Sequence, residues 1–194
     1  MNRDLELLYE LGSLRHTSRS WTQHLGVSTA SDLEHMMRVA FLALMLARRE
    51  GQGDEGLILK MALTHDLAET RTGDQNYVQS VYVDAKEEQA VHDTLENTSL
   101  SDLEDIITLY QKRDCIEAKL VKDADNLDVD LEMKELAAQG HTLPGKWASN
   151  RQAVAENKLH TQAAKDFWQE IQTSDPHSWH FAANKWNKIP GAGR

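Results

Sequence analysis

The chain has 194 residues, 40% of them hydrophobic and 27% charged, with a formal net charge of −10. That is ordinary globular usage with apolar surface enough for one core, and it excludes a disordered or fibrous chain. The negative charge, offset by no basic stripe or tail, excludes polymeric DNA or RNA as the expected ligand but leaves room for a small phosphate held by a few local cations.

Leu5, Leu8, Leu11 and Leu14 recur at helical spacing and predict a first helix, followed by a loop from 15 to 29. Ser31-Asp32-Leu33-Glu34 is a capping box, so a long second helix should start there, bury Met37, Ala40, Leu44 and Ala47 on one face, and end at Gly51. A third helix from about Asp54 carries Leu57, Met61 and Leu63 up to His65 and Asp66 and breaks at Thr72-Gly73-Asp74. Further helices are predicted over about 84–97, 101–111 (opened by a second capping box, Ser101 to Glu104), 114–138 and 150–173. Lys86, Glu87 and Glu88 read as a solvated face. Trp168, Trp179, Phe181 and Trp186 suggest a C-terminal aromatic tail that packs on the helical body.

No segment alternates with period two, so the expectation is an all-α fold. With three prolines and neither repeats nor low-complexity tracts, the chain should form a single domain over 1–194, its core running from about 5 to 180. Cys115, the only cysteine, rules out an internal disulfide and a thiolate metal cage. No apolar run reaches the roughly 20 residues of a spanning helix. Met1-Asn2-Arg3-Asp4 lacks the apolar core of a secretory leader, so a cytoplasmic protein without a membrane partner is expected.

Four side chains are candidate metal ligands: His35, the adjacent His65 and Asp66, and Asp125. Two imidazoles and two carboxylates suit one divalent ion such as manganese, cobalt, nickel, iron, zinc or magnesium. Met61-Ala62-Leu63 and Leu67-Ala68 should bury the His65-Asp66 turn, and buried charge needs a partner. Glu69, four residues beyond His65 and three beyond Asp66, projects to the same side of a helix, where a general acid or base belongs. Asp125 is ambiguous by position, because Asp123, Asp128 and Asp130 crowd the same helix and most of these are expected to be solvated.

The order His35, then His65-Asp66, then Asp125 resembles the HD-domain phosphohydrolases. Glu34-His35 is similar to the "EH" of that family, the run Ala62 to Glu69 to its "ALxHDxxE", and Thr72-Gly73-Asp74 to the following "GD". Leu120 to Asp125 resembles the "LVKxAD" element of the 5′-deoxynucleotidase branch, and Arg19-Ser20-Trp21 the arginine segment of that branch. The resemblance implies an HD-type helical bundle in which His35, His65, Asp66 and Asp125 hold one divalent metal between helices. It implies that Arg19 binds phosphate, with Arg15 the competitor, and that Glu69 and Asp74 assist hydrolysis or position substrate. Trp21 and Tyr77 are the guesses for contacts to the sugar.

His92 is the only histidine between the HD pair and Asp125, which favours a mononuclear site. The implied activity is removal of phosphate from (deoxy)nucleoside 5′-monophosphates, so the expected partner is a small nucleotide. Hydrolysis of triphosphates or cyclic diesters, and a non-catalytic nucleotide-binding module, are the alternatives. The resemblance also implies a homodimer.

Overall fold

The computed structural model describes residues 2–183, and among them every regular element is helical; the one pairing of extended backbone is an isolated antiparallel bridge between Ser18 and Ser31. α1 (Arg3–Ser13) runs into a 3-10 turn (Leu14–His16), and a single turn, α2 (Thr22–Leu25), stands inside the segment predicted as loop.

α3 (Asp32–Glu50) begins and ends where its residues dictate. Ser31 Oγ accepts from Glu34 N, and the Glu34 carboxylate accepts from Ser31 N at 2.7 Å, a reciprocal cap of the kind worth about 1 kcal/mol. Gly51 closes the far end at φ 71°, where any other side chain would be strained. The buried face is Met36, Val39, Ala40, Ala43, Leu46 and Ala47. Ala40 and Ala47 lie on it as expected, whereas Met37 is exposed and Leu44 only half-buried.

α4 (Glu55–Ala62), capped by Asp54, stops sooner than predicted. The Thr64 hydroxyl donates to Lys60 O at 2.7 Å and His65 Nδ1 to Ala62 O at 2.9 Å, so side chains take carbonyls that another helical turn would use. The chain turns through 63–68 with Leu63 exposed and Met61, Ala62, Leu67 and Ala68 buried. One-turn α5 (Glu69–Thr72) follows. Gly73, at φ 69° and ψ 158°, a region open essentially to glycine alone, then sends Asp74 back toward Ser20.

α6 (Glu87–Leu95), α7 (Leu103–Lys112) and α8 (Ile116–Ala138) match the predicted stretches, and Lys86, Glu87 and Glu88 are exposed. The second capping box is not made. Asp102 takes the N-cap position without a side-chain bond, and the Glu104 carboxylate lies 3.2 Å from His92 Nδ1. The helix predicted over 150–173 is two helices, α9 (Leu143–Lys158) and α10 (Gln162–Thr173). Asp123 on α8 draws the break between them inward, accepting from His160 N, Thr161 N and Thr161 Oγ1 at 2.7, 2.8 and 2.7 Å.

α8 runs through the centre, packed on α3, α4, α7, α9 and α10. The main core joins Val39, Leu42 and Leu46 of α3, Ile58 and Met61 of α4, Leu120, Val121 and Leu127 of α8, and Ile171 of α10. Each fully buried leucine there contributes about 1.5–3 kcal/mol relative to exposure. A second cluster, Leu7, Leu67, Val91, Leu95 and Ile107, fastens α1, α6 and α7 to the turn after α4. A third, Leu25, Val129 and Met133 with Trp21 and Trp147 at its edge, seats α2 and α9 on the C-terminal half of α8.

The aromatic tail corrects its expectation. Trp168 belongs to α10 and packs at the edge of the main core, but Trp179 and Phe181, on α11 (Ser178–Ala183), are 72% and 59% exposed. Trp186 lies outside the described residues. No described helix is long and apolar enough to cross a membrane.

Candidate active site

Three elements bring the four predicted ligands to one corner: α3 carries His35, the turn at 63–68 carries His65 and Asp66, and α8 carries Asp125. His35 Nε2 lies 3.4 Å from His65 Nε2, 3.5 Å from Asp66 Oδ2 and 3.3 Å from Asp125 Oδ1, while His65 Nε2 is 3.3 Å from Asp66 Oδ2. His35, His65 and Asp66 have donor atoms all within 4.8 Å of one another, the spacing of a potential metal group, and Asp125, outside that group, approaches it at His35 Nε2.

The rings are held from behind. His35 Nδ1 is 2.6 Å from Asp128 Oδ2, and His65 Nδ1 donates to Ala62 O. Anchoring at Nδ1 turns each Nε2 toward the shared centre, the arrangement by which metal sites orient a histidine. The Tyr110 ring stands edge-on to His65 with centroids 5.7 Å apart. Arg38 grips the second oxygen of Asp128 and forks onto Glu135 at 3.0 Å.

The corner attracts positive charge. Burial opposes protonation of His35, yet Asp125, Asp128 and Asp66 raise its pKa well above the ordinary range. Burial likewise works against ionised Asp66 and Asp125; His65 and His35 nevertheless hold Asp66 below the carboxylate range, and Lys122, 2.6 Å away, together with His35 does so for Asp125. A nitrogen-and-oxygen donor set of this kind fits a divalent first-row ion.

Arg19 lies beside the ligands and is 8% exposed. The Ser18–Ser31 bridge pins its loop to the start of α3, with Arg19 N donating to Ala30 O and Asp32 N to Thr17 O. Its Nη1 is 3.3 Å from Asp66 Oδ2 and 3.6 Å from Asp32 Oδ1, and its Nε is 3.5 Å from Asp74 Oδ2. Asp74 is itself fixed by Ser20 N at 2.8 Å. Arg15 is exposed, its guanidinium on the neighbouring His16 at 3.1 Å, outside this corner.

Glu69 is brought to Asp66 by the turn and the start of α5, not by continuation of α4. Burial, then Asp66, Asp74 and Asp32, pushes its carboxyl up to about 11, and its Oε2 is buried with no hydrogen-bond partner among the described residues. Burial chiefly lifts Asp32, which is fully inaccessible, to about 6.

From Arg19 and Asp74 opens a cleft of about 480 Å³, walled by Trp21, Gln75 and Tyr77 on one side and by Val129, Trp147 and Arg151 on the other. The Arg19 guanidinium lies 5.3 Å from the Trp21 ring centroid. Tyr77 is 66% exposed, its ring 5.3 Å from that of His24. The Arg151 fork is taken by Asp130 at 3.0 and 2.8 Å.

Sequence reasoning missed Asp32, Asp128 and Trp147. Asp128 was legible, standing three residues beyond Asp125 and so on the same helical face; Asp32 reads locally as a first-turn acid. The expected solvation of the α8 carboxylates is wrong. Asp123, Asp128 and Asp130 are 0%, 1% and 6% exposed, each satisfied by its own distant partners, and Lys122 is drawn onto Asp125.

Residues 11–168 match the HD domain family. The 5′-deoxynucleotidase HDDC2 of Dictyostelium discoideum is 32% identical over 160 residues, covering 75% of this chain and 84% of that protein. Among solved structures, a conserved hypothetical protein from Pyrococcus furiosus has a TM-score of 0.74 at 25% identity, covering 87% of this chain and 98% of that one. The HD phosphohydrolase DatZ of cyanophage S-2L, solved with dA and one catalytic zinc ion, has the same fold, with a TM-score of 0.57 at 20% identity over 86% of this chain and 96% of that one. The chain belongs to the HD-domain family, and its reaction class is that of a phosphohydrolase. Within that class the curated protein it resembles is a 5′-deoxynucleotidase.

Proposed function

We propose that this chain is a metal-dependent phosphomonoesterase that releases inorganic phosphate from deoxynucleoside 5′-monophosphates. One observation carries the reading: Arg19 stands between the four convergent ligand atoms and a cleft with indole rings on both walls. The kinship with a 5′-deoxynucleotidase supports it, as does a fold shared with a phosphohydrolase that was solved with a deoxynucleoside and zinc.

His35, His65, Asp66 and Asp125 would hold the divalent ion. Such an ion, when bound, supplies Lewis-acid polarisation of a phosphate oxygen and acidifies a water for attack. Arg19 orients the phosphoryl group with its planar fork and offsets charge building on the phosphoryl oxygens. Asp74, fixed by Ser20 N, and Asp66 hold that guanidinium in place. As water adds to phosphorus and the P–O5′ bond breaks, Glu69 carries the proton at Oε2 that the departing O5′ requires, and is recharged from the attacking water. The cleft takes the nucleoside, Trp21 and Trp147 offering flat apolar surfaces for sugar and base. Arg19 and Arg151 are the cations lining the cleft among the described residues, and Arg151 is already committed to Asp130, which disfavours a triphosphate.

The test is phosphate release from a panel of 5′-deoxynucleoside and 5′-ribonucleoside monophosphates, using metal-stripped protein resupplied with manganese, cobalt, nickel, zinc or magnesium. Metal-dependent release from the deoxy series is the expected result. Hydrolysis confined to triphosphates or cyclic diesters, or none at all, would overturn the reading.

A further inference from the structure

Asp32 is a buried carboxyl that the proposed reaction leaves without a task. It opens α3 but does not cap it: Ser31 makes the cap, and neither Asp32 oxygen receives an N–H or alcohol O–H among the described residues. The side chain is fully inaccessible, and its ion-pair partner among those residues is Arg19, whose Nη1 lies 3.6 Å from Oδ1. A buried carboxylate so poorly paired costs stability that an apolar side chain in its place would not. Groups kept at such a cost gather at functional sites.

Two neighbours give it a use. Arg19 already faces Asp66 at 3.3 Å and Asp74 at 3.5 Å, so charge balance does not call for a third carboxylate. What Asp32 adds is a further fixed point on the guanidinium. Its own N donates to Thr17 O at 2.9 Å and Arg19 N to Ala30 O at 3.1 Å, which ties the arginine loop to the start of α3. The second neighbour is Glu69. Two ionised carboxylates can only accept, so the hydrogen bond between Asp32 and Glu69 exists with a proton between them. Burial lifts both carboxyls, and Asp66 and Asp74 lift Glu69 further, so that proton rests on Glu69.

We infer that Asp32 is a positioning residue of the reaction, holding the Arg19 guanidinium and the Glu69 carboxyl in fixed relation to one another. The inference rests on the roles proposed above for those two residues. A reacting group displaced by about 1 Å can lose about a hundredfold in rate.

Asp32→Asn keeps the shape and removes the charge. Asp32, Asp66 and Asp74 crowd one guanidinium, so the variant should melt no lower than wild type. Its metal-loaded form should bind inorganic phosphate at least as tightly by calorimetry, while kcat on the best monophosphate falls about 10- to 100-fold. Combined with Glu69→Gln, the two changes should cost less than the product of their separate factors, as groups acting together do. An unchanged kcat, or strictly multiplicative effects, would overturn the inference. So would a variant that melts lower, fails to fold or binds phosphate more weakly, each of which marks a structural role. A wild-type chain inactive on every deoxynucleoside monophosphate overturns the proposed function instead. The Asp32 comparison then moves to the phosphate ester that the chain does cleave, and the inference falls too if it cleaves none.

Discussion

At the corner where the four predicted ligands meet, the supporting bonds are already made: Asp128 and Ala62 O hold the two imidazoles, Arg38 holds Asp128, and Lys122 holds Asp125. In the adjoining cleft the pattern is reversed, and Arg19 Nε, Trp21 Nε1 and Gln75 Oε1 are buried with no hydrogen-bond partner among the described residues. Buried polar atoms without partners cost about 1–3 kcal/mol each; the four predicted ligand side chains carry none, whereas the cleft atoms do, as do Glu69 Oε2 and the Asp32 carboxylate beside the corner, so a braced set of donors adjoins groups with bonding capacity to spare.

The contrast can be broken from the corner first. Asp66→Ala or His35→Ala should bring the metal content after dialysis to background and cut phosphate release by more than the ~100-fold that bounds an outer-shell change. Glu69→Gln should lower turnover by about a hundredfold or more while atomic emission still finds the metal, because the amide is too weak an acid to give up its protons. Asp128→Asn keeps all four ligands but loosens the His35 ring; metal affinity should fall about 10- to 100-fold, with activity recovering in excess metal. From the cleft side, Trp21→Ala should raise KM by about tenfold with kcat and metal content little changed, the size expected for losing one aromatic platform. A Trp21→Ala variant that lost metal would show that corner and cleft are one unit after all.

How much of this could be read from the sequence depended on distance along the chain. α3 was legible at both ends because its signals, the Ser31–Glu34 box and Gly51, act within a turn of themselves. The ligand order 35, 65–66, 125 was legible as a resemblance, and the structure brings those residues together. The break after Ala62 was not, since it depends on the Thr64 and His65 side chains choosing backbone carbonyls over another helical turn. The division of α9 from α10 depends on Asp123, 37 and 38 residues away from the groups it binds. The same reach explains why α8 looked like a solvated acidic helix: the partners of Asp128 and Asp130 come from α3 and α9, which no local pattern contains.

The far wall of the cleft comes from α9, through Trp147 and Arg151, and α9 supplies none of the four ligand atoms. On the proposed reading, selection acting on α9 can therefore retune which nucleoside is welcomed while the chemistry is inherited intact, so that a lineage built on this scaffold can change its diet without relearning how to cut.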